Sequence, residues 1–236
     1  MMFPDFNARS DRTELIDDLS IVGSELEETL DGLERINSLL GGYAPSIAGV
    51  DSLANGSPTL SLLDVGTGCA DTPRRLAGWA NRRSIDFYVQ GIDLSPTTVA
   101  HARRRSIAYR NIDIELRDLF AMPDDERFDI VHAALMLHHL ADDEAAEALR
   151  KMYALSRLGV VINDLHRHPI GYFGSQVLLP ILSRNRLVRH DGPISFLRAF
   201  RREELLELAS RAGLPEPEIR WRPLFRWQMI IRREHG

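Results

Sequence analysis

The sequence predicts an α/β fold: a doubly wound, mostly parallel seven-stranded sheet ending in an antiparallel hairpin, with a helical lid before it. Three observations point there. Short apolar runs alternate with helix-length segments from residue 60 to residue 162, a glycine turn follows directly on the first run, and acidic residues end the next two. Strands joined by crossovers of helix length pair in parallel and gather ligand contacts at their C-terminal ends. With 236 residues the chain can bury one sizeable core with an appendage. The expected division is an N-terminal helical cap over residues 1–57 and a binding domain over 58–236, with a second covering insertion near 170–198.

From the N-terminus, Leu19, Ile21, Val22, Leu26, Leu30, Leu33, Ile36, Leu39 and Leu40 recur mostly at steps of three and four before Gly41-Gly42. That spacing predicts one acidic amphipathic helix or two. Residues 51–58, rich in Ser, Asn, Gly and Pro, mark a boundary. Strands are then expected at 60–65, 85–92, 112–116, 128–134 and 159–162, and helices at 72–82, 96–109 and 142–155. An apolar segment over 172–182 follows, then a helix over 202–212 with an acidic first turn and Gly213 as its stop. Strand-like runs near 219–221 and 226–231 complete the sheet as a hairpin.

Composition narrows the function. Hydrophobic residues make up 44% and charged residues 27%, as in globular proteins, and no apolar run reaches the roughly 18 residues of a membrane span. The single cysteine, Cys69, cannot form an internal disulfide, and the start Met1-Met2-Phe3-Pro4-Asp5 has no basic and apolar leader pattern, so a cytoplasmic protein is expected. Net charge is 29 − 34 = −5; residues 1–60 carry 3 Arg against 11 acids (−8) and residues 184–236 carry 12 Arg against 7 acids (+5). The acidic balance disfavours a nucleic-acid partner. Lysine occurs once, at Lys151, a bias read as a coding preference rather than phosphate recognition.

The main motif is Leu62-Leu63-Asp64-Val65-Gly66-Thr67-Gly68-Cys69-Ala70-Asp71. Glycines at 66 and 68 permit positive φ and close approach of a ligand, and the following helix start offers unpaired N–H groups to a nucleotide-like cofactor. Asp71 stands where a dinucleotide fingerprint needs its third glycine and would repel a pyrophosphate; no P-loop pattern exists. Two acids end later strands, Asp93 and Asp118. A carboxylate at 93 can accept both ribose hydroxyls, one at 118 an adenine amine, with Leu94 and Leu119 flanking the base. Each acid alone also reads as a helix cap.

These motifs resemble the class I S-adenosylmethionine-dependent methyltransferases over about residues 60–164. The resemblance implies a Rossmann-like domain binding S-adenosyl-L-methionine and yielding S-adenosyl-L-homocysteine. It implies a first motif of Asp64, Gly66, Thr67, Gly68 and Ala70, ribose on Asp93, adenine on Asp118, and Ala133-Ala134 at the methionine end. Two positions depart: Ala70 stands for the usual third glycine, and Arg157-Leu158-Gly159 for the usual Lys-Pro-Gly-Gly. Ala134-Leu135-Met136-Leu137-His138-His139-Leu140 looks like the paired-histidine segment of the ubiquinone-biosynthesis-like small-molecule group. Residues 163–169 and 187–193 are similar to a bacterial subset linked with aromatic polyketide pathways.

Methyl transfer from a sulfonium is an in-line displacement, and a hydroxyl acceptor needs a base. His138, His139, His166 and His168 fall at the sheet's C-terminal edge; His166, two residues past Asp164, is the favoured base. His138 is the second candidate and a wall of the cofactor pocket. No metal is expected, since Cys69 belongs to another turn and the histidines show no regular ligand spacing. Tyr43, His166, Arg167, Tyr172 and Phe173 are the expected substrate contacts. Phe196 and Phe200 could add to an aromatic pocket, and Arg189 and Arg198 could receive a carboxylate. The reading is O-methylation of a small, aromatic or polyketide-derived molecule, with C-methylation as the near alternative. An RNA or protein methyltransferase and a non-methylating cofactor-binding protein are the rivals. A homodimer stays open.

Overall fold

A computed structural model describes residues 4–233; the first three residues of the leader reading lie outside it. Residues 4–22 form an extended strap with one 3₁₀ turn at Leu15–Asp17. The stretch expected to be helical from 15 to 40 is therefore helical only in part. Gly23 at φ +74° breaks it, and α1 runs Ser24–Leu39. After α2 (Ala44–Ala54), which Pro45 opens, comes β1 (Thr59–Val65).

The core alternates as expected: α3 (Asp71–Arg82), β2 (Asp86–Asp93), α4 (Pro96–Ser106), β3 (Ile112–Leu116), β4 (Phe128–Ala134), α5 (Asp142–Leu155) and β5 (Ser156–Leu165). Then follow α6 (Pro169–Leu182), α7 (Arg186–Arg198), α8 (Arg202–Arg211), β6 (Glu218–Arg222) and β7 (Arg226–Arg232). The sheet order is β3-β2-β1-β4-β5-β7-β6, with the first five parallel and β7 antiparallel to both neighbours. The seven-stranded sheet and its terminal hairpin match the sequence expectation.

Because strand side chains alternate, each central strand feeds two cores. Leu62, Ile130, Val161 and Ile230 pack with Val50 of α2 and Trp79 of α3. Their neighbours Leu63, Val131, Val160 and Ile231 pack with Leu149 of α5 and Leu205 of α8. Burying each such side chain contributes roughly 1.5–3 kcal/mol, and a one-residue slip would forfeit both faces. Helix α7 was not anticipated, since Gly192-Pro193 interrupts its sequence. Gly192 lies against α6 so closely that a Cβ would stand 2.0 Å from Leu179 Cδ1.

The strap is fastened along its length. Arg167 donates to the Phe6 carbonyl (3.0 Å), Arg9 to the carbonyls of His138 and Leu140 (2.9 Å each), and Leu15 and Ile16 N–H donate to the Asp191 carboxylate (2.8 and 3.0 Å). No helix among the described residues is long and apolar enough to cross a membrane.

Candidate active site

Strand β1 runs into the turn at Gly66 and Gly68, whose φ values are +65° and +55°. A side chain at 66 would meet Met136 Cγ at 2.7 Å. Ala70 also adopts a left-handed φ of +58°, a strain of about 1–2 kcal/mol offset by burial of its methyl with Val99, Ala102 and Ile114. Asp64 shapes the turn from beneath. It accepts from Thr67 Oγ1 (2.7 Å) and from His132 Nδ1 (2.5 Å), while His132 Nε2 accepts from Ser46 Oγ (2.9 Å). Asn163 donates to the same hydroxyl (2.9 Å), closing a buried network across β1, β4, β5 and α2.

Asp93 accepts from Gly68 N (3.1 Å) and Ser95 N (3.0 Å), which ties the turn to the end of β2, and burial raises its pKa. Asp118 is exposed and accepts from Phe120 N (2.9 Å) through one oxygen. All these groups border a cavity of about 850 Å³, which also reaches Leu94 and Leu119. A glycine cradle, a carboxylate at Asp93 with one lone pair left on each oxygen, and a second at Asp118 between apolar side chains fit a nucleoside with a zwitterionic tail.

At the other end of the cavity stands a buried polar corner. His138, 2% exposed, donates from Nδ1 to Asp164 Oδ1 (2.5 Å), which leaves Nε2 as a lone-pair acceptor. Burial pushes the Asp164 carboxyl up, but His138 and the Leu165 N–H outweigh it and hold its pKa below the usual range. The strap brings Glu14 to the same corner. Its Oε1 lies 3.6 Å from His138 Nε2 and has no hydrogen-bond partner, its Oε2 accepts from Ser195 Oγ (2.6 Å), and burial pushes its carboxyl up to about 7. No motif in the sequence reveals Glu14, because only the laid-down strap buries it. Leu26, Leu30, Ile36, Leu179, Leu187 and Phe196 supply apolar wall.

Residues 62–159, which carry the turn, the acids and the start of this corner, match a family model described as a methyltransferase domain. The cradle fits the cofactor that the sequence motifs imply, S-adenosylmethionine. No curated protein sequence matches the chain. Among solved structures, a SAM-dependent methyltransferase from Aquifex aeolicus is similar at 15% identity and TM-score 0.62, over 87% of this chain and 97% of that one. An O-methyltransferase family protein from Burkholderia thailandensis is similar at 17% and 0.63, over 89% and 60%. Human N-acetylserotonin methyltransferase, crystallised with SAM, is similar at 17% and 0.63, over 95% and 63%.

Several residues expected at the site stand elsewhere. Ala134 rather than Ala133 borders the cavity; Ala133 and Ala70 lie fully buried beside it. Tyr43 is turned away, its hydroxyl donating to Asp71 Oδ2 (2.8 Å). Tyr172 packs edge-on against Phe6 of the strap, and Phe173 is off the cavity wall. Arg167 is not a substrate contact: it is 1% exposed, paired with Glu204, and spent on strap and loop carbonyls, including Ala199 (2.6 Å). Phe200 lies under the Arg9 guanidinium. Arg198 borders the cavity but donates to the carbonyls of His138, His139 and Arg12.

His166, the favoured base, is also off the wall. Its ring lies 4.5 Å from that of Trp227 of β7, tilted by 51°, and its Nδ1 is buried without a partner. Burial pushes its imidazole down to about 4, helped by His168 and Arg201. Relative to about 6.5 in an unfolded chain, the neutral ring stabilises the fold above pH 6.5, and that contribution drains as pH falls toward 4. Urea titrations at pH 7 and pH 5 should show a smaller acid loss in His166→Gln than in the wild type. An equal loss in both would show that His166 titrates normally.

Proposed function

We propose that the protein transfers the methyl group of S-adenosylmethionine to a hydroxyl oxygen of a small, largely apolar aromatic acceptor, activated at the Glu14–His138 corner. What supports the reading is one cavity with a nucleoside cradle at one end and this buried acceptor-rich corner, walled by aliphatic and aromatic side chains, at the other. The corner favours His138 over His166, which does not reach the cavity.

Gly66, Thr67 and Gly68 would give the cofactor backbone approach, Asp93 would accept the ribose hydroxyls, and Asp118 the base amine between Leu94 and Leu119. Ala134 and the His138 wall would flank the methionine portion. When bound, the cofactor supplies an electrophilic methyl group; the chain's own residues orient the acceptor, keep water out and take up its polar group. The similarity to an O-methyltransferase family protein is in keeping with oxygen as the atom methylated.

The test is incubation with S-adenosylmethionine and a panel of phenols and hydroxylated polyketide-type rings, followed by mass spectrometry. Stoichiometric S-adenosylhomocysteine and an O-methyl product are expected. Products methylated only at carbon, or cofactor binding without turnover across the panel, would refute the proposal.

A further inference from the structure

Three side chains able to ligate a metal, Glu14, His138 and His139, converge at the acceptor end of the cavity. One ligand atom from each lies within 4.8 Å of the other two, and Glu14 Oε1 is 3.6 Å from His138 Nε2 and 4.0 Å from His139 Nδ1. Glu14 Oε1 is buried and unpartnered, on a side chain only 3% exposed. A buried acceptor facing another acceptor is costly unless a cation or a donor enters. We propose that Glu14, His138 and His139 form a binding site for one divalent transition-metal ion of the Zn²⁺, Co²⁺ or Fe²⁺ type. This deepens the proposed function and rests on it only for what the ion would do.

The donor set and its surroundings fit such an ion. Two imidazoles and a carboxylate suit borderline divalent metals and leave coordination positions open. With bonds of about 2.0–2.2 Å, tetrahedral ligands stand roughly 3.4 Å apart, so the side chains must draw together on binding. Two of the ligands are held from behind, as metal ligands are: His138 by Asp164 (2.5 Å) and Glu14 by Ser195 (2.6 Å), whereas His139 Nδ1 itself donates to Asp17 Oδ1 (2.5 Å). Binding displaces the His139 proton to solvent and frees Asp17 to serve as a fourth oxygen donor. Arg198, 3.7 Å from Glu14 Oε1, is committed to the carbonyls of both histidines and so fixes their backbone. The carboxylate comes from 124 positions upstream of His138, which is why spacing along the chain conceals the set.

Facing the cavity, the ion would take the acceptor oxygen in an open position and lower the pKa of its hydroxyl, the proton leaving to water. The oxygen lone pair then forms the O–CH₃ bond as the S–CH₃ bond breaks, and that electron pair stays on sulfur. The experiment is titration of chelator-stripped full-length protein with Co²⁺, followed by visible absorption and repeated with Zn²⁺ by calorimetry. Saturable uptake of one ion per chain is expected, weakened by 10²-fold or more in Glu14→Gln and His139→Asn and by about 10-fold in Ser195→Ala. His101→Gln, at a separate cluster with Glu27 and Asp31, should bind as the wild type does. No saturable uptake by the wild type, uptake unchanged in Glu14→Gln, or loss in His101→Gln would overturn the site. Methyl transfer that persists after chelation and in Glu14→Gln would overturn the ion's role in activating the acceptor, while leaving methyl transfer standing. Uptake that depends on Glu14, in a protein that methylates nothing, would support the site and refute the proposed function.

Discussion

Replacing His138 with alanine is expected to lower turnover by about 10²–10⁴-fold while leaving S-adenosylmethionine bound. The side chain sits on the cavity wall with one nitrogen anchored and the other free, so its removal takes away the Nε2 lone pair at the acceptor end of the cavity. The backbone has its own support, since His138 N donates to Asp164 Oδ2 (3.1 Å) and the carbonyl accepts from Arg9 and Arg198. Asp164→Asn separates chemistry from packing. An amide facing Nδ1 would move the proton to Nε2 and turn the acceptor into a donor, with nearly no change of volume. It should lose turnover on the same scale as His138→Ala. Single-turnover kinetics beside calorimetric cofactor titration measure the two effects separately. Wild-type turnover in either variant would remove His138 from the activation step.

The second large effect is expected in stability. Asp64→Ala should destabilise the fold by about 2–5 kcal/mol, on the order of 10 °C in Tm for a chain of this length. The cost comes from what is left behind. His132 is fully buried in the middle of β4 and would lose its Nδ1 acceptor, and Thr67 would lose the bond that sets the glycine turn. Asp64 thus acts on the cofactor through the turn, since both of its oxygens are already engaged. Thermal melts and cofactor titration on Asp64→Ala and Asp93→Ala check this: the first variant should lose stability and affinity together, the second chiefly affinity. Equal melting temperatures for Asp64→Ala and wild type would show that the network carries no such weight.

The central sheet was legible because its strands are short, apolar and separated by turn chemistry, and the structure places β3 and β4 within the expected limits. Legibility failed where tertiary contact overrides local pattern. Leu19, Ile21 and Val22 continue the helical spacing of α1, but Gly23 diverts the chain and they belong to the strap. Gly192 and Pro193 argue against a helix, yet α7 keeps them because Gly192 admits Leu179 of α6.

The candidate site divides in the same way. The glycine turn, Asp93 and Asp118 are local in sequence, and the structure gathers them at one cavity. The substrate contacts were sought among aromatics and arginines, which bind the strap to the body instead: Tyr172 through Phe6, Arg167 through backbone carbonyls. Glu14 carries no signal of its own, since an acidic residue on an acidic N-terminal segment reads as solvated. Only folding makes it the carboxylate that faces His138.

The strap has an evolutionary consequence. The nucleoside cradle is encoded in one contiguous block, residues 62–159, whereas the opposite wall is drawn from both ends of the chain: Glu14 and Leu26 before that block, Leu179 and Phe196 after it. Mutations or recombination confined to the flanks can therefore recast the wall against which an acceptor lies without touching the cradle. Such a gene can acquire new customers by changing its margins while its centre is inherited intact.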